Sequence, residues 1–238
     1  MPDKASDPAP TPAPKAKRTK GDIDKQILAD IELGETVAAA AADTGHAPAL
    51  ADEGVDAAAV TNLTTLNSDA RDLGKEVVAA KKAQLNATKA QTKAQKILMT
   101  ALRGMQARAK RKFAKDKPRQ ATYCIGKKNF GHNRTELDQD AAAILKLAAA
   151  DALPGLTPAK LAAAGAAYAN WKQANTDEIK AAEDQNKAIT ALEAKVAEIN
   201  DARRDIQHAV DTAFPHTDKA NAAPRRAFKL PAAKPMVQ

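Results

Sequence analysis

The chain has 238 residues, a formal net charge of +8 and an aromatic content of only 3%. So little aromatic bulk in an alanine-rich sequence excludes a thick globular core, and a composition rich in Ala, Lys, Glu, Gln and Leu with few glycines excludes a sheet-based fold. A single cysteine excludes an internal disulfide, so a reducing, cytoplasmic setting is the expectation.

The first residues form a Pro/Ala run and not the apolar stretch of about 7 to 15 residues that a signal peptide needs. Residues 37–42 are apolar but far too few to cross a bilayer. The charge is unevenly placed: residues 1–20 carry +3, residues 103–134 carry +10 and residues 216–238 carry +4, which leaves −9 for everything else. Cations gathered at the middle and the tails, with acidic shafts between, point to electrostatic partners at those places.

Residues 1–20 have Pro at positions 2, 8, 10, 12 and 14 followed by a basic cluster. Alternating prolines block a helix and nothing apolar drives folding, so a disordered tail is expected. From Asp22 the apolar residues Ile23, Ile27, Ile31, Val37, Ala38 and Ala41 recur at helical spacing, which predicts a helix over about 22–43 with Asp22 as cap and Gly34 as a possible bend.

A long helix is expected over about 52–115. Leu63, Leu66, Ala70, Leu73, Val77 and Ala80 alternate in steps of three and four, which is a coiled-coil seam, and the frame continues through Gln84, Ala87, Gln91, Ala94, Leu98, Ala101 and Met105. The seam thus turns polar and small midway. Beyond it lies the densest positive charge: Arg103, Arg108, Lys110, Arg111, Lys112, Lys115, Lys117 and Arg119, with Lys127, Lys128 and Arg134 following. Such a run is commonly a solvated helix end, and cations also suit a helix C-terminus. Its functional reading is contact with a polyanion through phosphates.

Residues 116–133 form a connector that collects the chemistry absent from the shafts, including Cys124, Tyr123, Ile125, Phe130 and His132. Gly126 and Gly131 supply turns, and Tyr123, Ile125 and Phe130 are expected to plug the junction. The stretch lacks the GxxxxGK[ST] spacing and the preceding strand of a phosphate loop. Cys124 and His132 have no second ligand pair, so no zinc site is expected. Cys124 reads as a small buried residue.

Helices are next expected over about 134–152, capped by Asn133 with Glu136 at the third position, and over about 158–214. The turn between them, LPGLTP, offers Gly155 for positive φ, Thr157 as cap and Pro158 at the first helical position. The seam of the second long helix reads Leu161, Tyr168, Trp171, Asn175, Ala182, Gln185, Ile189, Leu192, Val196, Ile199, Arg203, Ile206 and Val210. An antiparallel pairing with Leu98 opposite Trp171 would set Gln84 opposite Gln185; a parallel pairing also satisfies the pattern. Residues 215–238, with four prolines, are expected to form a disordered basic tail.

The expected fold is therefore all-α: an elongated helical bundle or coiled coil over residues 21–214, built on two long helices with two shorter ones, between disordered tails. No nucleophile elbow and no acid/base pair is visible, so neither an enzyme nor a cofactor is expected. The leading expectation is a structural or interaction protein that self-associates, most simply as a dimer, or docks a protein partner along its helices. The alternative is sequence-independent nucleic-acid binding by the 103–134 region and the tails. Attachment to anionic membranes ranks below both, because no large apolar face adjoins the charges.

Overall fold

A computed structural model describes residues 23–236; the expected disordered tail over 1–20 lies outside them. Two helices of 56 residues each, α3 (Ala57–Lys112) and α6 (Pro158–Ala213), dominate the architecture. At 1.5 Å per residue each extends about 84 Å. Shorter helices α1 (Lys25–Ala42), α2 (Ala47–Asp52), α4 (Lys117–Thr122), α5 (Arg134–Ala150) and α7 (Ala222–Ala227) attach to them, and there is no strand among the described residues.

Local sequence sets the boundaries. Asp24 caps α1 by accepting from the Gln26 amide at 2.9 Å, two residues after the expected cap. The first long helix begins later than expected because Gly54, at φ +84°, ends α2 and Asp56 opens α3 by accepting from the Ala59 amide at 2.8 Å. Asn133 accepts from the amides of Thr135 and Glu136 at the start of α5, and Thr157 accepts from Lys160 at the start of α6, where Pro158 holds the first turn. Within the connector, Asp116 caps α4 on the Arg119 amide at 2.9 Å.

The long helices run antiparallel. Lys195 on α6 lies 3.9 Å from Asp69 near the start of α3, and Thr88, further along α3, donates to Glu178, earlier on α6, at 3.4 Å. Leu98 and Trp171 share one buried cluster. Each end of the shaft has its own core. One is built on Leu63, Ala70 and Val77 with Leu192, Ile199 and Val210, covered by α1; the other on Leu98, Leu102 and Met105 with Ala164 and Trp171, covered by α5.

Helix α1 runs unbroken through Gly34. The glycine allows a close crossing: a Cβ there would lie 2.6 Å from Asn67 Oδ1 and 2.7 Å from Ile199 Cγ2.

The expectation of a disordered C-terminal tail is corrected over residues 215–236. A short 3-10 turn (Lys219–Asn221) leads into α7, and Phe228 and Leu230 enter the first core with exposures of 0% and 6%. Arg225 organises the segment although it is wholly buried. Its guanidinium donates to the carbonyls of Pro231, Phe214 and Lys234, each at 2.8 Å, and lies 2.6 Å from Asp211. Gln207 donates to the Phe228 carbonyl at 2.7 Å, and the rings of Phe214 and Phe228 meet His46 edge-on. A charge expected to face solvent is thus the hydrogen-bond centre of the turn.

The shaft has an uncovered waist, and heptad positions locate it. With Leu63, Ala70, Val77, Gln84, Gln91 and Leu98 as first positions, the second positions on α3 are Arg71, Val78, Leu85, Thr92 and Met99. Arg71 pairs with Glu35 of α1, and Met99 lies against Gly131, just before α5. A third-helix lane therefore runs along one side of the hairpin, filled at its two ends and vacant between. Val78 and Leu85 face that vacancy with exposures of 43% and 41%, and Ile179 of α6 stands at 50%.

Candidate functional site

The junction between α3 and α5 is held by a polar cluster on Asp151, the C-cap of α5. Tyr123, wholly buried, donates its hydroxyl to Asp151 Oδ2 at 2.8 Å and stacks on Phe113 with ring centres 6.2 Å apart. Arg119 donates Nε to the same oxygen at 3.1 Å and Nη2 to the other. Lys112 donates to the backbone carbonyls of Asp151 and Ala152, and both cations lie near the face of Phe113, at 5.6 and 5.7 Å. The bond from Arg119, supported by Tyr123, holds the Asp151 carboxyl below the usual carboxylate range against the effect of burial. Burial pushes the Tyr123 phenol well up, and its bond to Asp151 adds to that. At neutral pH this tyrosine is a fixed donor.

Neighbouring groups are equally committed. Lys127 pairs with Asp140 at 2.7 Å and Glu136 at 3.1 Å. Arg134 reaches across to Glu178 at 2.5 Å and Asn175 at 3.1 Å, and this bond lowers the Glu178 carboxyl. Burial, with help from Asp140, pushes the half-buried Cys124 thiol up to about 11, so it carries little thiolate and is a poor nucleophile at neutral pH. Ile125 and Phe130 are partly buried against the second core, beside Tyr123.

The eleven cations expected to meet a polyanion therefore divide. Lys112, Arg119, Lys127 and Arg134 are engaged within the chain, and Arg108 donates to the Gly104 carbonyl at 2.8 Å. Arg103, Lys110, Arg111, Lys115, Lys117 and Lys128 are exposed and make no ion pair among the described residues. The dense basic run is thus partly a structural clamp.

Cations outside that run extend the surface. From residue 77 to residue 115 the chain has eleven Lys and Arg and no Asp or Glu. Five recur at seven-residue intervals: Lys82, Lys89, Lys96, Arg103 and Lys110, all exposed. In the frame above they occupy the sixth heptad position, which points away from the partner helix. The matching positions of α6, Gln173, Lys180, Lys187, Ala194 and Asp201, are mixed in character. The signal is present in the sequence as the heptad frame and the missing carboxylates, whereas charge density alone singles out residues 103–134.

On the other side of the hairpin a shallow groove is lined by Ile97, Met105, Arg108, Leu156, Ala163 and Ala167. No group of His, Cys, Asp and Glu among the described residues could hold a metal ion, and no helix among them is long and apolar enough to cross a membrane. Comparison with protein-family models, with curated proteins and with solved structures returns no match. What the site can do must be read from its own groups.

Proposed function

We propose that this chain is a non-enzymatic interaction protein of the cytoplasm, a rigid antiparallel strut that self-associates as a dimer through its waist. The observation that carries the reading is the vacancy in the third-helix lane, where Val78, Leu85 and Ile179 are left open between α1 and α5. Three large apolar side chains at a gap between two covered cores are an interface pattern more than scattered surface residues. Charge favours a second copy as occupant. The waist of α3 carries Lys81 and Lys93 and no acid, whereas that of α6 carries Asp177, Glu183 and Asp184 against Lys180 and Lys187, Glu178 being held by Arg134. A two-fold apposition placing α3 of each copy beside α6 of the other brings opposite signs together.

Light scattering on a sizing column at micromolar concentration tests this. The 25.1 kDa chain is expected to run at twice that mass. The double variant Leu85→Glu, Ile179→Glu is expected to return it to the single-chain mass with unchanged helical circular dichroism. A wild-type chain that is monomeric at those concentrations overturns the dimer.

A second reading is sequence-independent binding of nucleic acid. It is favoured by the 39-residue stretch of α3 and its end without one carboxylate, because a helix serving only as a solvated face ordinarily mixes both signs. Its mark is affinity that falls steeply with salt.

A further inference from the structure

We infer that the row Lys82, Lys89, Lys96, Arg103 and Lys110 is the binding surface, and that its ligand is the phosphate backbone of a nucleic-acid duplex lying along α3. This rests on the nucleic-acid reading and specifies both the surface and the form of the polyanion.

Spacing is the first argument. Residues seven apart on a helix are about 10.5 Å apart along its axis, so the five cations form a straight row of about 42 Å. In a coiled coil the seven-residue period keeps such a row on one line, where a longer or shorter period would wind it around the shaft. A duplex turn is about 34 Å, and a line parallel to its axis crosses each of the two strands once per turn. The row is longer than a turn and therefore meets two or three strand crossings whatever its phase. With a cation every 10.5 Å, no crossing along the row is more than about 5 Å from one, which the flexible stem of a lysine can span.

Availability is the second argument. None of the five side chains makes an ion pair or a hydrogen bond among the described residues, and no acid on α3 lies between Glu76 and the helix end to compete for them. Lys75, one interval earlier, is held by Asp72 at 2.7 Å, so the free row begins at Lys82.

The side chains around the row separate one polyanion from another. Binding of single strands draws on aromatic side chains on which bases stack. Helix α3 has no aromatic residue at all, and Phe113, Tyr123 and Phe130 beyond it are turned partly or wholly into the second core. A lipid surface calls for an apolar face beside the charges. The third heptad positions on one flank of the row, Ala79, Asn86, Lys93, Thr100 and Ala107, provide none, and on the other flank Val78 and Leu85 are the only exposed large apolar side chains, confined to the waist and too few to form a face along the row. A row of point charges without stacking platforms suits a stiff backbone contacted from outside, with no base read.

The test is fluorescence anisotropy of the full chain with a labelled 24-base-pair duplex across a salt series. Two variants are compared, and unchanged circular dichroism is required of both: Lys82→Gln, Lys89→Gln, Lys96→Gln, Arg103→Gln in the row, and Lys115→Gln, Lys117→Gln, Lys128→Gln, Lys219→Gln as a control of equal charge. Two or three lost phosphate contacts make the slope of log affinity against log salt shallower by about 2 to 3, which is about 100-fold weaker binding at 0.1 M salt. The control is expected to change affinity less than about fivefold, since it removes charge but no part of the row. An 8-base-pair duplex, shorter than the row, is expected to bind at least tenfold more weakly than 24 base pairs. Equal losses in the two variants overturn the row while the nucleic-acid reading stands, and a wild-type chain that ignores the duplex at low salt overturns both. Equal or tighter binding to a single strand, or to vesicles with an anionic headgroup, overturns the assignment to a duplex.

Discussion

Replacing Gly34 by alanine sets two effects of known size against each other. In the interior of a helix this change should stabilise by about 1 kcal/mol, because glycine is the poorer helix former. Here the new methyl would lie 2.6 Å from Asn67 Oδ1 and 2.7 Å from Ile199 Cγ2, distances that real Cβ atoms do not tolerate. Ile199 is 0% exposed and has nowhere to retreat. Asn67 is tied by its Nδ2 to the Leu63 carbonyl at 2.8 Å, so moving it sacrifices a buried bond worth about 1 kcal/mol. Forcing an extra carbon into a close-packed crossing costs about 1 to 3 kcal/mol. The clash therefore wins, with a net loss of about 1 kcal/mol, or a fall in Tm of about 2 to 4 °C for a chain of this size. Gly165 is the internal comparison. It too lies within a long helix, but a Cβ there meets nothing within 4 Å, so Gly165→Ala should raise Tm by a similar amount. Thermal unfolding followed by far-UV circular dichroism, at one fixed protein concentration, reads both. If Gly34→Ala stabilises as much as Gly165→Ala, α1 does not cross α3 and α6 this closely and the packing of the first core is misread.

The C-terminal segment and the acid range supply two further tests. Arg225→Ala leaves three carbonyls and Asp211 without their buried guanidinium partner and should cost the segment about 3 kcal/mol, exposing the chain after Phe214 to limited proteolysis while the long helices stay resistant. Cleavage there in the wild type at the variant's rate would show that the segment is not docked. Glu35, Asp151 and Glu178 are each held below the usual carboxylate range by an arginine. The unfolded chain takes up their protons first, so their contribution is complete above about pH 5 and is lost as pH falls through and below about 4. Asp151→Asn should remove its share of that acid dependence in denaturant titrations, and a pH profile identical to wild type would contradict the clamp.

The helices were legible because their signals are local and repeated. The seam of Leu63 to Met105 and the caps at Asn133 and Thr157 need no knowledge of what packs on them, and the all-α fold followed. The C-terminal segment was not legible for the opposite reason. A six-residue helix has too few residues to show a period, and Arg225 has the same appearance in sequence as the exposed cations around it. Only the carbonyls of Phe214, Pro231 and Lys234, gathered by the turn, make it a buried group. Gly34 was similarly ambiguous, since glycine's backbone freedom suits a bend and its missing Cβ suits a close crossing. At the candidate site, the junction role of Tyr123 could be read from its place between charged stretches, but its bond to Asp151 spans 28 residues and could not. Cations such as Arg119 and Arg134 have the appearance of contact surface in sequence because their partners, Asp151 and Glu178, are distant along the chain.

Hydrogen exchange of the full chain at high and low concentration tests the central claim, that the vacant lane at the waist is the self-association surface. Dilution through the dimer range is expected to release protection over residues 78–92 and 179–190 and to leave the two covered cores unchanged. Protection at the waist that does not respond to dilution, or a response confined to the covered ends, would contradict it.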